Sequence, residues 1–341
     1  RDRGGRARAR WDVRPLHQQV AASWQRRSEE WTPHDRLRGT TGYTRARRHL
    51  TWSVEDRARL GRLEVEGAYH WAEARDNYAG GEGWGQPSGP SAIRTRRFEG
   101  PTFGIRADCG GGLLLKGNRG RMARFPTFPE LFGQNGVQQG NPALRNEWGL
   151  QWDAGFSWAP GRPWRVESAY FESITRDKIT LIQNSQRTVK AMNLDRAWVR
   201  GVESSGFLRL RLPWRNALEL QSSFTWQEAK DVGRSPTYRG KDLPCLPERE
   251  AFVSADLLRA AWKFRWEASA RSAHYRDRAN SDPKRSPASI VHGAAVTRSF
   301  RSESITLRAE ATNLFDRRIE DIDGFPLPGR TLTAELSWTW E

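Results

Sequence analysis

Period-two alternation of apolar and polar residues, sustained over long stretches, constrains this chain more than any other feature. From Trp148 to Trp158 every second residue is apolar: Trp148, Leu150, Trp152, Ala154, Phe156, Trp158. Successive side chains of an extended backbone point to opposite faces, so the segment predicts a strand with one greasy face. The C-terminal stretch repeats the pattern, with Leu332, Ala334, Leu336, Trp338 and Trp340 in one phase and Thr331, Thr333, Glu335, Ser337 and Thr339 in the other. Leu63, Val65, Gly67, Tyr69 and Trp71 likewise share a face, against Glu64, Glu66 and His70.

Followed along the chain, the pattern gives about fifteen strands. Most run roughly 9 to 14 residues, longer than the usual globular strand of about 5 to 6 and suited to crossing a bilayer at a tilt. The connections alternate between short and long. Short turns are expected at Asp12 to Pro15, Asp56 to Arg59, Gly110 to Gly112, around Pro160, Pro213 to Arg215, Leu258 to Ala260 and Arg301 to Glu303. Long loops are expected at Ser28 to Tyr43, Asn77 to Glu99, Arg124 to Glu147, Arg176 to Asp195 and Glu228 to Glu248. In Arg124 to Glu147, prolines 126, 129 and 142 and glycines 133, 136 and 140 forbid a continuous helix or a central strand. Short turns at one end and long loops at the other describe an all-β fold, a transmembrane antiparallel β-barrel with apolar residues toward lipid and polar ones toward the lumen.

Composition agrees once a barrel is considered. Mean hydropathy is −0.80 and only 37% of residues are hydrophobic, yet there are 17 Trp and 14 Phe. Trp148, Trp158, Trp164, Trp226, Trp262, Trp338 and Trp340 lie near strand ends in the apolar phase, as interfacial girdle residues do. A soluble β-sandwich rarely needs strands so long or loops so one-sided. No run of eighteen apolar residues exists, so no helical span is expected. The first residue is Arg1, without a charged-then-apolar leader, and the chain reads as a fragment or a processed piece.

The net charge is +16. Arginine is spread along the chain, so the basic residues read as wet faces of strands and loops, and nucleic acid is not an expected partner. The six histidines are scattered singly, and Cys109 and Cys245 stand far apart in turn-like surroundings. No metal site or cofactor is expected, and no disulfide between the two cysteines. No G-x-S-x-G, H-E-x-x-H or P-loop occurs, so an enzyme is not indicated. Glu203, Glu219, Glu267 and Glu310, with Arg209, Arg265, Arg271 and Arg308, fall in the lumen phase and are expected to form cross-strand charge pairs.

Two motifs make the reading specific. Phe125-Pro126-Thr127-Phe128-Pro129-Glu130-Leu131-Phe132 is followed by Gly140-Asn141-Pro142-Ala143-Leu144 and Glu147. The end of the chain carries Asn313-Leu314-Phe315-Asp316, then Pro328-Gly329-Arg330 and a final alternating strand. Together, in order, they resemble the barrel signatures of TonB-dependent outer-membrane receptors. Such receptors close with about 22 strands around a plug. The resemblance therefore implies that residues 1–341 are a partial barrel domain, lacking the plug, the TonB box and roughly the first seven strands. The last residue is Glu341 rather than the family's terminal aromatic.

The resemblance implies an outer-membrane location, contact with lipid and lipopolysaccharide, and active uptake of a scarce solute, energised by the TonB complex acting on the plug. The surplus of Arg favours an anionic cargo such as a ferric siderophore, with cobalamin the other expected class. Trp84, Arg94, Arg96, Arg97, Arg187, Tyr238, Arg239, Tyr275 and Arg276 are the candidate ligand contacts in the loops. Pro126, Thr127, Phe128, Glu130, Leu131, Gly140, Asn141, Pro142, Leu144, Glu147, Asn313, Leu314, Phe315, Pro328, Gly329 and Arg330 are expected to serve structure. The rival classes are a passive porin-like barrel and a basic nucleic-acid-binding β-protein.

Overall fold

A computed structural model describes residues 2–13, 17–32, 34–35, 39–41, 44–80, 89–133, 138–161, 163–185, 188–300, 304–322 and 325–339. Fifteen long strands follow one another: β1 (Asp2–Val13), β2 (Gln18–Trp31), β3 (Arg45–Leu60), β4 (Leu63–Gly80) and β5 (Gly89–Gly110). Next come β6 (Leu113–Arg124), β7 (Glu147–Trp158), β8 (Trp164–Gln183), β9 (Val189–Leu212) and β10 (Asn216–Asp231). The last are β11 (Arg249–Arg259), β12 (Trp262–Arg271), β13 (Ser289–Phe300), β14 (Ile305–Thr312) and β15 (Thr331–Trp338). Each pairs antiparallel with its sequence neighbours in a single meander, and among the described residues β1 and β15 pair on one side only. A two-residue strand, Gln138–Gln139, adds parallel pairing to the start of β9.

The register keeps each strand's apolar phase on one face. Phe264 lies opposite Leu257 and Val296 and Trp52 opposite Trp24 and Trp71, whereas Trp152 has the charged Arg119 and Glu172 beside it on that face. Trp24, Trp52, Trp152, Leu257, Phe264 and Val296 are exposed, as the outer wall of a barrel immersed in lipid would be. Among the described residues no helix is long and apolar enough to cross a membrane; the strands do the crossing. On the inner phase one of the expected cross-strand pairs forms, Arg209 with Glu219 at 3.3 Å; Arg265 with Glu267 at 2.9 Å and Arg308 with Glu310 at 3.0 Å pair instead along a single strand. Arg271 donates to Ser289 Oγ instead, and Glu203 faces Thr225.

The expected loop boundaries need correction at the long-loop end. β4 and β5 continue to Gly80 and from Gly89, and β8 and β9 meet at Gln183 and Val189, so most of 77–99 and 176–195 is ladder rather than loop. These extensions bury a mixture of apolar and charged side chains, Ala74, Asp76, Arg96, Ile179, Ala191 and Leu194, so they show no clean apolar–polar alternation to read. β9 has 24 residues, against the roughly 9 to 11 that cross a membrane at a tilt. The long-loop end is therefore built partly of protruding hairpins. The turn expected at Asp56 to Arg59 falls two residues later, between Leu60 and Leu63, where Gly61 takes φ 62°. The turn at Arg301 to Glu303 and residue Trp340 lie outside the described residues.

Candidate functional site

The stretch 125–146 is not a plain loop. Phe128–Phe132 forms one helical turn, begun by a capping box in which Glu130 N–H donates to Thr127 Oγ1 and Thr127 N–H to Glu130 Oε2. Pro129 stands at the start of the turn, where its missing N–H costs nothing. Both Glu130 oxygens also accept from Arg124 Nη1 at 2.9 Å. Gly140 N–H donates to Gly133 O, and a Cβ on Gly140 would sit 2.6 Å from Leu131 O, so that position admits only glycine. Asn141 donates Nδ2–H to Ala191 O and accepts from Ala143 N–H.

The segment is fastened to the inner wall by a buried charge network. Asp76 on β4 pairs with Arg47 on β3 and Arg96 on β5, and the three side chains are 1%, 3% and 4% exposed. Arg47 Nη1 donates to Pro126 O at 2.7 Å, and Arg96 Nη1 to Leu144 O and Asn146 Oδ1 at 3.0 Å. Arg94 Nη1 donates to Pro142 O at 2.8 Å. Two cations around one carboxylate would be costly in a dry interior; here the guanidinium N–H groups are also consumed by carbonyls of the segment they hold.

Two small cores flank the β8–β9 hairpin. Ile179 and Ala191, in odd phase, pack with Leu131 and Leu144. Leu194 and Ile182, in even phase, pack with Ala197, Ala229, Leu243 and Leu246 from the following loop. The hairpin thus carries both cores, one with the helical turn and one with the following loop. Leu144→Ala should cost about 2–5 kcal/mol and speed proteolysis between β6 and β7, read against wild type in liposomes.

The next two loops, 232–248 and 272–288, are bonded to each other. Asp231, buried at the end of β10, accepts from Arg278 Nε at 2.8 Å, and Arg278 lies 4.1 Å over the Tyr238 ring. Asn280 and Asp242 exchange two hydrogen bonds, and Cys245 N–H donates to Tyr275 O. Cys109 and Cys245 are both free thiols. The second signature is also a fastening. Asn313, at φ 48°, donates to Arg317 O and Pro328 O and accepts from Arg317 N–H, while Asp316 accepts from Arg330 N–H.

Between the helical turn, the hairpin and these loops lies a recess of about 530 Å³ at the long-loop end. Lys178, Arg271, Arg276 and His274 face it, with Glu130 and Glu250 as the carboxylates. A larger recess, about 1320 Å³, sits among the short turns near Trp164 and Arg211, the wrong end for capture from outside. Among the described residues no three His, Cys, Asp or Glu side chains converge on a metal-sized site.

Of the candidate contacts, only Arg276 lines the recess. Arg96 is a correction: it is buried in the Asp76 network. Arg94 is bound to Pro142 O, and Arg97, in the outward phase, pairs with Glu73 at 2.8 Å. All three sit on β5, not in a loop. Tyr238 lies under Arg278 and Tyr275 pairs with Arg285, both within the bonded loops. Arg239 is exposed in the first of them. Trp84 and Arg187 lie outside the described residues. Sequence reasoning missed Lys178 and His274. Lys178 belongs to a segment without alternation, and His274 looked like one of six isolated histidines.

A long-stranded antiparallel meander with an apolar outer face, a charge-paired inner face and a rim built at one end defines the wall of an outer-membrane β-barrel. Residues 2–314 match the family described as TonB dependent receptor-like, beta-barrel, and the chain belongs to that family, whose members lie in the bacterial outer membrane. It is similar in fold to the copper transporter OprC (16% identity, TM-score 0.75, covering 99% of this chain and 56% of that one). It is equally similar to the ferric citrate transporter FecA (15%, TM-score 0.75, 99% and 54%). The ferric yersiniabactin uptake receptor FyuA from Yersinia pestis follows (15%, TM-score 0.69, 98% and 52%). The chain thus spans about half the length of these solved structures. No curated protein matches it in sequence.

Proposed function

We propose that this chain forms the C-terminal wall and cargo-facing rim of a receptor that takes up an anionic metal chelate, a ferric siderophore or similar complex, across the outer membrane. The observation that carries the reading is the recess beneath the bonded loops, where Lys178, Arg271 and Arg276 outnumber the two carboxylates. Guanidinium and ammonium donors suit the carboxylate and hydroxamate oxygens that such chelates present. The named transporters of iron chelates and copper sharing this fold support the class. Both signature motifs serve to fasten the rim, so the residues that select cargo lie beside them. The rest of the barrel, a plug and its coupling to the TonB complex belong to the same proposal, as does the absence of any enzymatic step.

The test is cargo binding by the complete receptor with Lys178, Arg271 and Arg276 all changed to Gln. Each charged hydrogen bond lost is worth about 1.5–3 kcal/mol, so ferric citrate or a carboxylate siderophore should bind at least about a hundredfold more weakly. A neutral chelate should change little. Unaltered binding of every anionic chelate the wild type takes would sink the proposal.

A further inference from the structure

The short-turn end of the wall has a step in it. Strand β8 pairs with β9 only as far as Trp164 and Leu208, whereas β9 and β10 stay paired down to Leu212 and Asn216. Arg209 N–H donates to Pro163 O at 2.8 Å, and proline has no N–H to return the bond, so the ladder stops there. Arg209 to Leu212 is left as a sheet edge among the described residues. Trp158 and Trp164 meet edge to face beside it, ring centres 4.7 Å apart, at the level of an interfacial girdle. Four further residues at about 3.3 Å each carry the β9–β10 hairpin roughly 13 Å beyond that level, on the periplasmic side, where outer-membrane barrels keep their short turns.

The edge is chemically two-sided. Arg209 and Arg211 take one face of β9, Leu210 and Leu212 the other. Beside it lies the recess of about 1320 Å³ among the short turns, to which Arg165, Arg209, Arg211 and Arg215 contribute cations and no described residue a carboxylate. Glu167 and Glu219 reach Arg165 and Arg209 from outside it, while Arg211 and Arg215 have no ion-pair partner among the described residues. The tip carries an independent signal. In the turn Pro213–Asn216, closed by Asn216 N–H on Pro213 O, the two central residues are Trp214 and Arg215, at φ 56° and 60°. Those positions suit Asn and Gly, so two large L side chains hold the backbone there against its preference. Trp214 is 91% exposed, too exposed to stabilise the fold by burial.

We propose that this step is a docking site for an extended, acidic segment of a periplasmic protein, which adds as a strand to the β9 edge. In an antiparallel addition each edge residue meets one peptide residue, and successive peptide side chains fall on alternate faces. Carboxylates then lie opposite Arg209 and Arg211, and apolar side chains opposite Leu210 and Leu212, a complementary pattern of period two. Arg209 turns its N–H toward the edge, so Arg211, two positions on, does the same, and the peptide's acidic residues are the ones that exchange backbone bonds with the wall. Arg215 supplies a further fork for a carboxylate, and Trp214 a large rigid contact. An anionic phospholipid would satisfy the guanidinium groups and leave the backbone of the edge unpaired; a strand satisfies both. This assignment rests on the outer-membrane orientation and is independent of the cargo.

The test uses the complete receptor in nanodiscs of neutral lipid, open on both sides, and the fluorescence anisotropy of a labelled peptide of five Glu-Val repeats. A charge-assisted hydrogen bond contributes roughly tenfold or more in affinity. The variant R211Q/R215Q should therefore bind the peptide at least about a hundredfold more weakly, and R211K/R215K should recover part of the loss. Trp214→Asn, which suits the backbone of the turn, should leave the heat resistance of the barrel unchanged or raised and still weaken the peptide about tenfold. N-methylation of the peptide at every Glu should abolish binding, whereas N-methylation at every Val should preserve it. The isomer with five Glu followed by five Val, and the Lys-Val repeat, should both bind more weakly than the parent. Arg259→Gln, exposed at the next short turn, should change nothing. Heat-dependent gel mobility verifies that each variant is an assembled barrel. No binding of the repeat peptide to wild type, a double Gln variant within twofold of wild type, or equal binding of the N-methyl-Glu peptide or of the block isomer would each overturn the assignment.

Discussion

Asp76→Ala should destabilise the barrel rim by about 3–5 kcal/mol, the cost of removing one partner from a buried ion pair and leaving the other charged. The figure applies because Arg47 and Arg96 are almost wholly buried with Asp76 and cannot swing into water without releasing Pro126 O and Leu144 O. The loss should be local. Urea unfolding in liposomes should show an early transition in the segment 125–146, followed by the main one at its wild-type midpoint. Arg96→Gln should behave similarly while leaving cargo affinity per folded molecule unchanged. If Arg96 instead contacts cargo, affinity falls with the rim intact, and the structural assignment of this residue is wrong.

The second large effect is expected at Asn313. Alanine there removes three hydrogen bonds to Arg317 and Pro328 and places an L residue at φ 48° without the side-chain amide that makes this conformation tolerable. These bonds are part-buried and end on the exposed Arg317 and Pro328, so each one lost costs about 0.5–1.5 kcal/mol, and the left-handed backbone about 1–2 more. Asn313→Ala should therefore slow the docking of β15 on β14, seen as a lower yield of heat-modifiable barrel and a lowered midpoint in urea. Asn313→Asp, which keeps the acceptor for Arg317 N–H, should lose about half as much.

How far the fold was legible follows from where alternation exists. β7 and β15 announce themselves because Trp148 to Trp158 and Leu332 to Trp338 must place apolar side chains on the lipid face alone. The upper halves of β4, β5, β8 and β9 gave no such signal, and Arg94, Arg96 and Arg97 were therefore read as loop. What they bury is mixed, with Asp76 and Arg96 as deep as Ala74 and Ala191, so burial there leaves no apolar period in the sequence. The family signatures named the class from Thr127 and Asn313, yet no one-dimensional pattern could announce that Arg96 reaches Leu144 O, 48 positions away. The recess suffers most from this. Lys178, Arg271, His274 and Arg276 come from two separate segments and converge only after three loops have packed.

The hairpin of β8 and β9 has one further consequence. With Leu131 and Leu144 packed on it and Leu243 packed on it as well, it acts as a shared beam rather than a free flap. Cargo that tilts Lys178 cannot do so without loading both neighbouring loops, so the segments on either side must yield together or not at all. A mechanical signal from the recess would then spread around the rim in one step, over the arc from the helical turn to the loop that holds Arg278.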